Sequence, residues 1–209
     1  MIASRKILLS VGAVGLAAGI AGLGTFATFT DTAADSHTIV SGTVNINLAA
    51  SGADNRLSVG ATGMVPGDSL QRRAKLTNAG NQDLASVTLT TTAGTSSLLD
   101  TDATAGLQMK LEKCGGALGW LESATTPYTY TCNTAVAGDN LGTRTTVLAR
   151  RAVIGSAIAL SSMSSLTAGT TDDLVLTVDL PSTTGNTFQG LTSILTYTFN
   201  ATQRAAVSK

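Results

Sequence analysis

The chain has 209 residues, with 13 basic residues balanced by 13 acidic ones and only 4% aromatics. That length suits one domain and is marginal for two. The charge balance gives no basic surplus for nucleic acid, and the scarcity of aromatics means that any core is largely aliphatic.

The N-terminus opens MIASRK, and Arg5 and Lys6 are the only charges before Asp31. From Ile7 to Ala27 the sequence is uncharged and rich in Gly, Ala and Leu. Such a run could span a membrane, and Gly15 and Gly19 make a GxxxG pattern of the kind that packs membrane helices. A short basic start, an apolar run and small residues at Thr25 and Ala27 fit an export signal better, with a cut between Ala27 and Thr28. Residues 1–27 are therefore expected to leave, with an uncleaved anchor as the alternative. Arg5 and Lys6 leave with them, so the mature chain carries 11 of the 13 basic residues against 13 acidic ones, a net charge of about −2. No later apolar run approaches membrane-spanning length, so contact with a membrane is expected only through the signal segment.

Beyond the signal the pattern is that of strands. Apolar and polar residues alternate in Val44–Leu48, Ser86–Thr90, Leu107–Leu111, Leu174–Leu180 and Ile194–Phe199. Threonine suits these positions because its branched Cβ fits an extended backbone. Turn residues separate the segments at Pro66-Gly67-Asp68, Asn78–Asn81 and Pro181–Gly185. The stretch TTVLARRAVIGSAIAL, residues 145–160, reads as one short helix with Arg150 and Arg151 outward. Many short strands with frequent turns predict an all-β, jelly-roll-like antiparallel β-sandwich over residues 41–209. Residues 28–40 form a separate N-terminal segment.

The two cysteines, Cys114 and Cys132, lie in the mature part. Outside the cytoplasm such a pair is expected to oxidise, and closing the loop adds about 3 kcal/mol in the chain-entropy account. A metal site needs more ligands, and the single histidine, His37, is far away in sequence. Trp120, Tyr128 and Tyr130 sit inside the cysteine loop. Two readings stay open for them: a surface for carbohydrate or a partner, and a small satellite core over the disulfide.

Several blocks together carry a family resemblance. Gly24-Thr25-Phe26-Ala27-Thr28-Phe29-Thr30-Asp31 is followed by Ser41-Gly42-Thr43-Val44, then by Val65-Pro66-Gly67-Asp68-Ser69-Leu70 and Leu76-Thr77-Asn78-Ala79-Gly80. Phe188-Gln189-Gly190 and Tyr197–Gln203 close the chain. In order and spacing these blocks resemble the TasA/camelysin family over roughly residues 1–92 and 172–203, whereas the cysteine-bearing middle is weakly matched. The resemblance implies a secreted jelly-roll protein, cut between Ala27 and Thr28 by a signal peptidase of the SipW type. It implies an extracellular or cell-surface location in a biofilm matrix, and a homo-oligomeric fibre in several members. There the free N-terminus of one subunit adds a strand to the next by β-augmentation. In this sequence the donor strand is Thr28, Phe29, Thr30, Asp31, Thr32, Ala33, Ala34, Asp35, Ser36 and His37, with Phe29 its one large apolar residue. A mobile polar tail is the alternative.

Camelysin-like members are classed as metallopeptidases, and a zinc peptidase usually takes two histidines and a carboxylate. This chain has one histidine and two glutamates, Glu112 and Glu122. No catalytic residue, metal ligand set or cofactor is therefore expected, and the chain is not expected to be an enzyme. Leu180-Pro181-Ser182-Thr183-Thr184 approaches a wall-sorting signal, but has Thr in place of the final Gly and no apolar tail, so a strand end and turn is expected. Asp100-Thr101-Asp102 offers two carboxylates to calcium without the remaining loop ligands, so a solvated loop is expected. Three functions follow: a fibre or matrix subunit, a monomeric secreted binding module using the cysteine loop, and, last, a peptidase.

Overall fold

Alternating apolar residues oblige each strand to bury one face, and the chain meets this demand by stacking two sheets. The computed structural model describes residues 44–57, 63–115, 119–132 and 143–206. The signal segment, its cut at Ala27–Thr28 and the donor strand Thr28–His37 lie outside the described residues.

In chain order the described elements are β1 (Ile46–Leu48), β2 (Ser69–Asn78), β3 (Leu84–Thr95), the helical turn α1 (Leu98–Thr101) and β4 (Gln108–Cys114). They continue with β5 (Trp120–Glu122), β6 (Tyr130–Cys132), β7 (Arg144–Ala152), β8 (Gly155–Ala159) and β9 (Thr171–Asp179), then a 3-10 turn at Asn186–Phe188 and β10 (Ile194–Gln203). One sheet has the order β1-β2-β9-β4-β7, a second has β10-β3-β8, and β5-β6 is a separate ribbon. The strand pairs are antiparallel. The fold is thus an all-β sandwich, as the strand pattern predicts.

The seam between the sheets is aliphatic. Leu76 of β2 and Leu174 and Leu176 of β9 share one buried cluster with Val87 and Leu89 of β3. Sheet register follows from this seam, because slipping a strand by one residue would turn its apolar set toward water. In β3 the buried residues Val87, Leu89 and Thr91 alternate with Ser86, Thr88, Thr90 and Thr92 on the outer face. In β9 the alternation is lost, since Leu174 through Val178 are all buried. This strand is central and covered on both faces.

Turn chemistry fixes the crossings. Asp68 N donates to Val65 O at 2.9 Å, and Gly67 has φ +97°. This is a turn with proline second and glycine third, where only glycine takes the positive φ without strain. Gly67 N donates to Leu180 O, and Leu180 N to Asp68 O, so this turn is bound to the end of β9. Thr184 N donates to Pro181 O at 3.0 Å, so the segment from Leu180 to Thr184 is a strand end and turn, as expected. The crossing from β2 to β3 is held by Asn78, which has no exposed surface. Its Oδ1 accepts from Gly80 N at 3.0 Å and its Nδ2 donates to Gln82 O at 3.1 Å.

Two expectations are corrected. Residues 145–160 do not form a helix; they form β7 and β8. Thr145, Thr146, Val147, Val153, Ile154 and Ile158 are β-branched and favour extended backbone. A bulge where β7 pairs with β4 lets both Val147 and Leu148 turn inward, and that adjacency hides the strand period. The Asp100–Asp102 segment is not a solvated loop. Ser97 caps α1, and the buried Asp100 carboxylate accepts from Ser97 N and Ser96 Oγ at 2.7 Å. Asp102 Oδ1 accepts from Thr104 N and Ala105 N at 2.9 Å. Both carboxylates are spent on closing the turn.

Leu89 is fully buried at the centre of the seam. Leu89→Ala is expected to lower stability by about 2–5 kcal/mol, read as a lower urea midpoint with an unchanged slope.

Candidate functional site

The polar chemistry of the described residues gathers on the outer face of the five-stranded sheet, under the hairpin of β5 and β6. Cys114 ends β4 and Cys132 ends β6, and a disulfide joins them with Cα atoms 5.4 Å apart. The bridge folds the hairpin back over Val175 of β9, so that Trp120, Tyr130, both cysteines and Val175 form a second buried cluster. Of the two readings for the aromatics, Trp120 and Tyr130 follow the satellite core, at 2% and 3% exposure. Tyr128 packs against its edge. Leu121, between the buried residues on β5, faces outward at 52% exposure.

Two ion pairs pin the hairpin to the sheet. Arg73 of β2 grips Asp173 of β9 through two bonds of 2.7 and 2.6 Å. Trp120 donates from its backbone N to Asp173 Oδ2 at 3.3 Å and from Nε1 to Asp173 O at 3.0 Å. Gly119 has φ +61°, and a Cβ there would collide with the Asp173 carboxylate, so the approach requires glycine. The second pair is Arg56 with Glu122, at 3.1 and 2.7 Å. Tyr130 OH donates to Glu122 Oε2 at 2.7 Å, and the Arg56 guanidinium lies 4.4 Å from the Tyr128 ring centre. Arg144 lies 5.3 Å from the Trp120 ring centre. Such forked, partly buried pairs fix orientation as well as charge.

The electrostatics follow from these contacts. The bond from Arg56, helped by that from Tyr130, outweighs burial and holds the Glu122 carboxyl below its ordinary range. Burial, then the bond to Glu122, pushes the Tyr130 phenol up to about 12. Burial alone raises Tyr197, in β10, to about 12. A carboxylate held ionised by arginine and a phenol held neutral make a fastening. They leave neither a base nor a nucleophile poised for chemistry.

A second feature lies on the other sheet. Among the described residues β10 pairs only with β3, so its far edge is open. It is ten residues long and carries no charge. The other edges of the two larger sheets are the three-residue β1, the five-residue β8, and β7 with Arg144, Arg150 and Arg151.

A family model described as camelysin metallo-endopeptidase matches residues 3–208. The chain belongs to this camelysin family. No curated protein matches it. The family's description implies a metal ion, whose site would need three or four donors around one point. Among the described residues of this camelysin-family chain, no three His, Cys, Asp or Glu side chains gather in that way. The carboxylates nearest to such a role are committed elsewhere: Glu122 to Arg56 and Tyr130, Asp173 to Arg73 and Trp120, Glu112 to Lys110 at 2.9 Å. Asp172 holds the backbone of Ser164 and Ser165. This donor set does not fit a metal. His37 and the remainder of the donor strand, Thr28–Ser36, lie outside the described residues.

The closure of the cysteine loop could be seen in the sequence through its cysteines, whereas its two short strands could not. Its partners could not, because Arg56 and Arg73 stand 66 and 100 positions from Glu122 and Asp173.

Two outcomes follow. Replacing Cys114 and Cys132 by serine is expected to destabilise the fold by about 3 kcal/mol, for a loop of this length. Fluorescence of Trp120, the sole tryptophan, should shift to the red as the hairpin lifts. In an alkaline titration followed by phenolate absorbance, Tyr130 and Tyr197 should ionise only near pH 12. Because the folded values exceed the unfolded value of about 10, their contribution to stability is complete below about pH 10 and is lost as pH rises toward 12. Tyr130→Phe should flatten that alkaline loss.

Proposed function

We propose that this camelysin-family chain is a secreted structural protein, the subunit of an extracellular fibre or biofilm matrix, rather than an enzyme. A signal peptidase cuts between Ala27 and Thr28, and the freed segment Thr28–His37 of one copy adds to the β10 edge of the next. The observation that carries this reading is that edge. A long strand edge without charge or proline is a template for pairing, and proteins that must stay monomeric blunt such edges.

The dimensions agree. Ten extended residues span about 33 Å, and both β10 and the segment TFTDTAADSH have ten residues. Backbone hydrogen bonds supply the affinity of such an added strand, and alternate side chains supply its register. Phe29, the second residue of the mature end, is its one large apolar anchor. The commitment of Glu112 and Glu122, the only two glutamates, to Lys110 and Arg56 supports a structural role over a peptidase. The inward packing of Trp120 and Tyr130 likewise favours it over a binding module built on the cysteine loop.

Electron microscopy of the concentrated secreted protein is expected to show filaments, and deletion of Thr28–His37 is expected to abolish them while the monomer stays folded. Filaments that persist after the deletion would exclude the donor strand.

A further inference from the structure

β10 carries a motif that neither the core nor the sheet pairing uses. Asn200-Ala201-Thr202 is an acceptor sequence for asparagine-linked sugar, which takes Asn, any residue but proline, and then Ser or Thr. No other asparagine of the chain, from Asn45 to Asn186, is followed in that way. A three-residue motif is short, so its place in the fold matters. In β10, Leu195, Tyr197, Phe199 and Ala201 pack against the core cluster. Strand alternation turns Thr198, Asn200 and Thr202 to the opposite, outer face, and all three are exposed there. Asn200 and Thr202 thus stand side by side, about 6.8 Å apart along the strand, open from one direction. A slip of one residue would turn the amide into the core, where no sugar could follow.

The amide is also uncommitted. Asn55 and Asn78 spend theirs on the backbone: Asn55 Nδ2 donates to Ala49 O at 2.8 Å, and Asn78 Nδ2 to Gln82 O at 3.1 Å. Among the described residues none bonds to the Asn200 side chain. The surroundings leave room for a bulky group. Asn200 pairs with Thr88 of β3, and Thr88 pairs in turn with Ala159 of β8. On either side, Thr198 pairs with Thr90 and Thr202 with Ser86. β3, β8 and β10 contain no charged residue, so no lysine, arginine or acid of this sheet stands over the amide.

We infer that Asn200 is the attachment site of an asparagine-linked oligosaccharide, added as the chain is exported. The site rests on the reading of a secreted protein given above, because the acceptor sequence has meaning only in an exported chain. The donor is an oligosaccharide carried on a polyprenyl diphosphate, and a membrane glycosyltransferase is the catalyst. Asn200 Nδ2 attacks the anomeric carbon of the first sugar. The carbon–nitrogen bond forms as the bond from that carbon to the diphosphate oxygen breaks. The polyprenyl diphosphate leaves with the electron pair, and one Nδ2 proton passes to a base of the transferase. The sugar then hydrates a sheet face that has no ionic group of its own. It projects from that face, whereas the backbone groups at the β10 edge lie in the plane of the sheet, so the edge stays free to pair.

The test is the mass of the protein collected from the medium and surface of the cells that make it. The wild type is expected to exceed its polypeptide mass by a whole oligosaccharide, with the excess on the peptide bearing Asn200. A glycoamidase is expected to release that excess and leave aspartate at the position. Asn200→Gln and Thr202→Ala should each lose the excess entirely, whereas Thr202→Ser, which keeps the hydroxyl, should retain it. Trp120 fluorescence and the urea midpoint report that a variant is folded; if Asn200→Gln is not, Thr202→Ala takes its place. A wild-type peptide of bare polypeptide mass, or sugar that persists in Asn200→Gln, overturns the inference and leaves the secreted, fibre-forming reading standing. A chain found only inside the cells removes that reading and this inference with it.

Discussion

The aliphatic seam between the two sheets is the contact on which the rest of the molecule depends. Leu76, Leu174 and Leu176 close from one side on Val87 and Leu89 from the other. With few aromatics to fill space, the seam relies on many aliphatic residues, alternating in β3 and continuous in β9, and burial at roughly 25 cal/mol per Å² holds their register. Once the inward positions are fixed, the outward positions are free to differ between the sheets. The two outer faces have taken opposite courses.

On the five-stranded sheet the outward positions became ionic and then covered. Arg73 of β2, opposite Val175 in the register, reaches diagonally to Asp173 of β9, and Trp120 seals the pair; Arg56 and Glu122 clasp the far end of the hairpin. Removing one partner of such a pair would strand a charge under the hairpin, so the pairs are more important for holding the hairpin in one place than for net stability. The disulfide closes the same arrangement covalently. On the three-stranded sheet the outward positions stayed small and neutral, and among the described residues β10 pairs on one side only. One face of the sandwich is covered by the hairpin, whereas the other carries small neutral side chains.

Much of this was legible in the sequence, and the failures have physical causes. β3 and β10 could be found because their apolar residues fall on one side of an extended chain, and β9 because Leu174, Leu176 and Val178 do so, although Val175 turns to the hairpin on the other face. β2 was hidden because Arg72 and Arg73 are adjacent and both largely buried, Arg73 by its pair with Asp173; no period-2 rule expects that. β7 reads as helix in the sequence because a bulge sends Val147 and Leu148 inward together. The two calcium-like aspartates were spent on a turn, since a capping box and a calcium loop draw on the same residues. The cysteine pair announced a closed loop, whereas the ion pairs that seat its hairpin join residues distant in the chain. The family match over residues 3–208 agrees with the resemblance read from the end blocks and extends it through the cysteine loop.

The central claim is that β10 is the edge at which copies join. Hydrogen exchange, compared between the monomeric secreted protein and its filaments and resolved by segment, tests it most directly. The account predicts that amides of Ile194–Gln203 gain protection in filaments while those of Arg144–Ala152, the charged edge of the other sheet, do not. Filaments in which β10 exchanges as fast as in the monomer would contradict it.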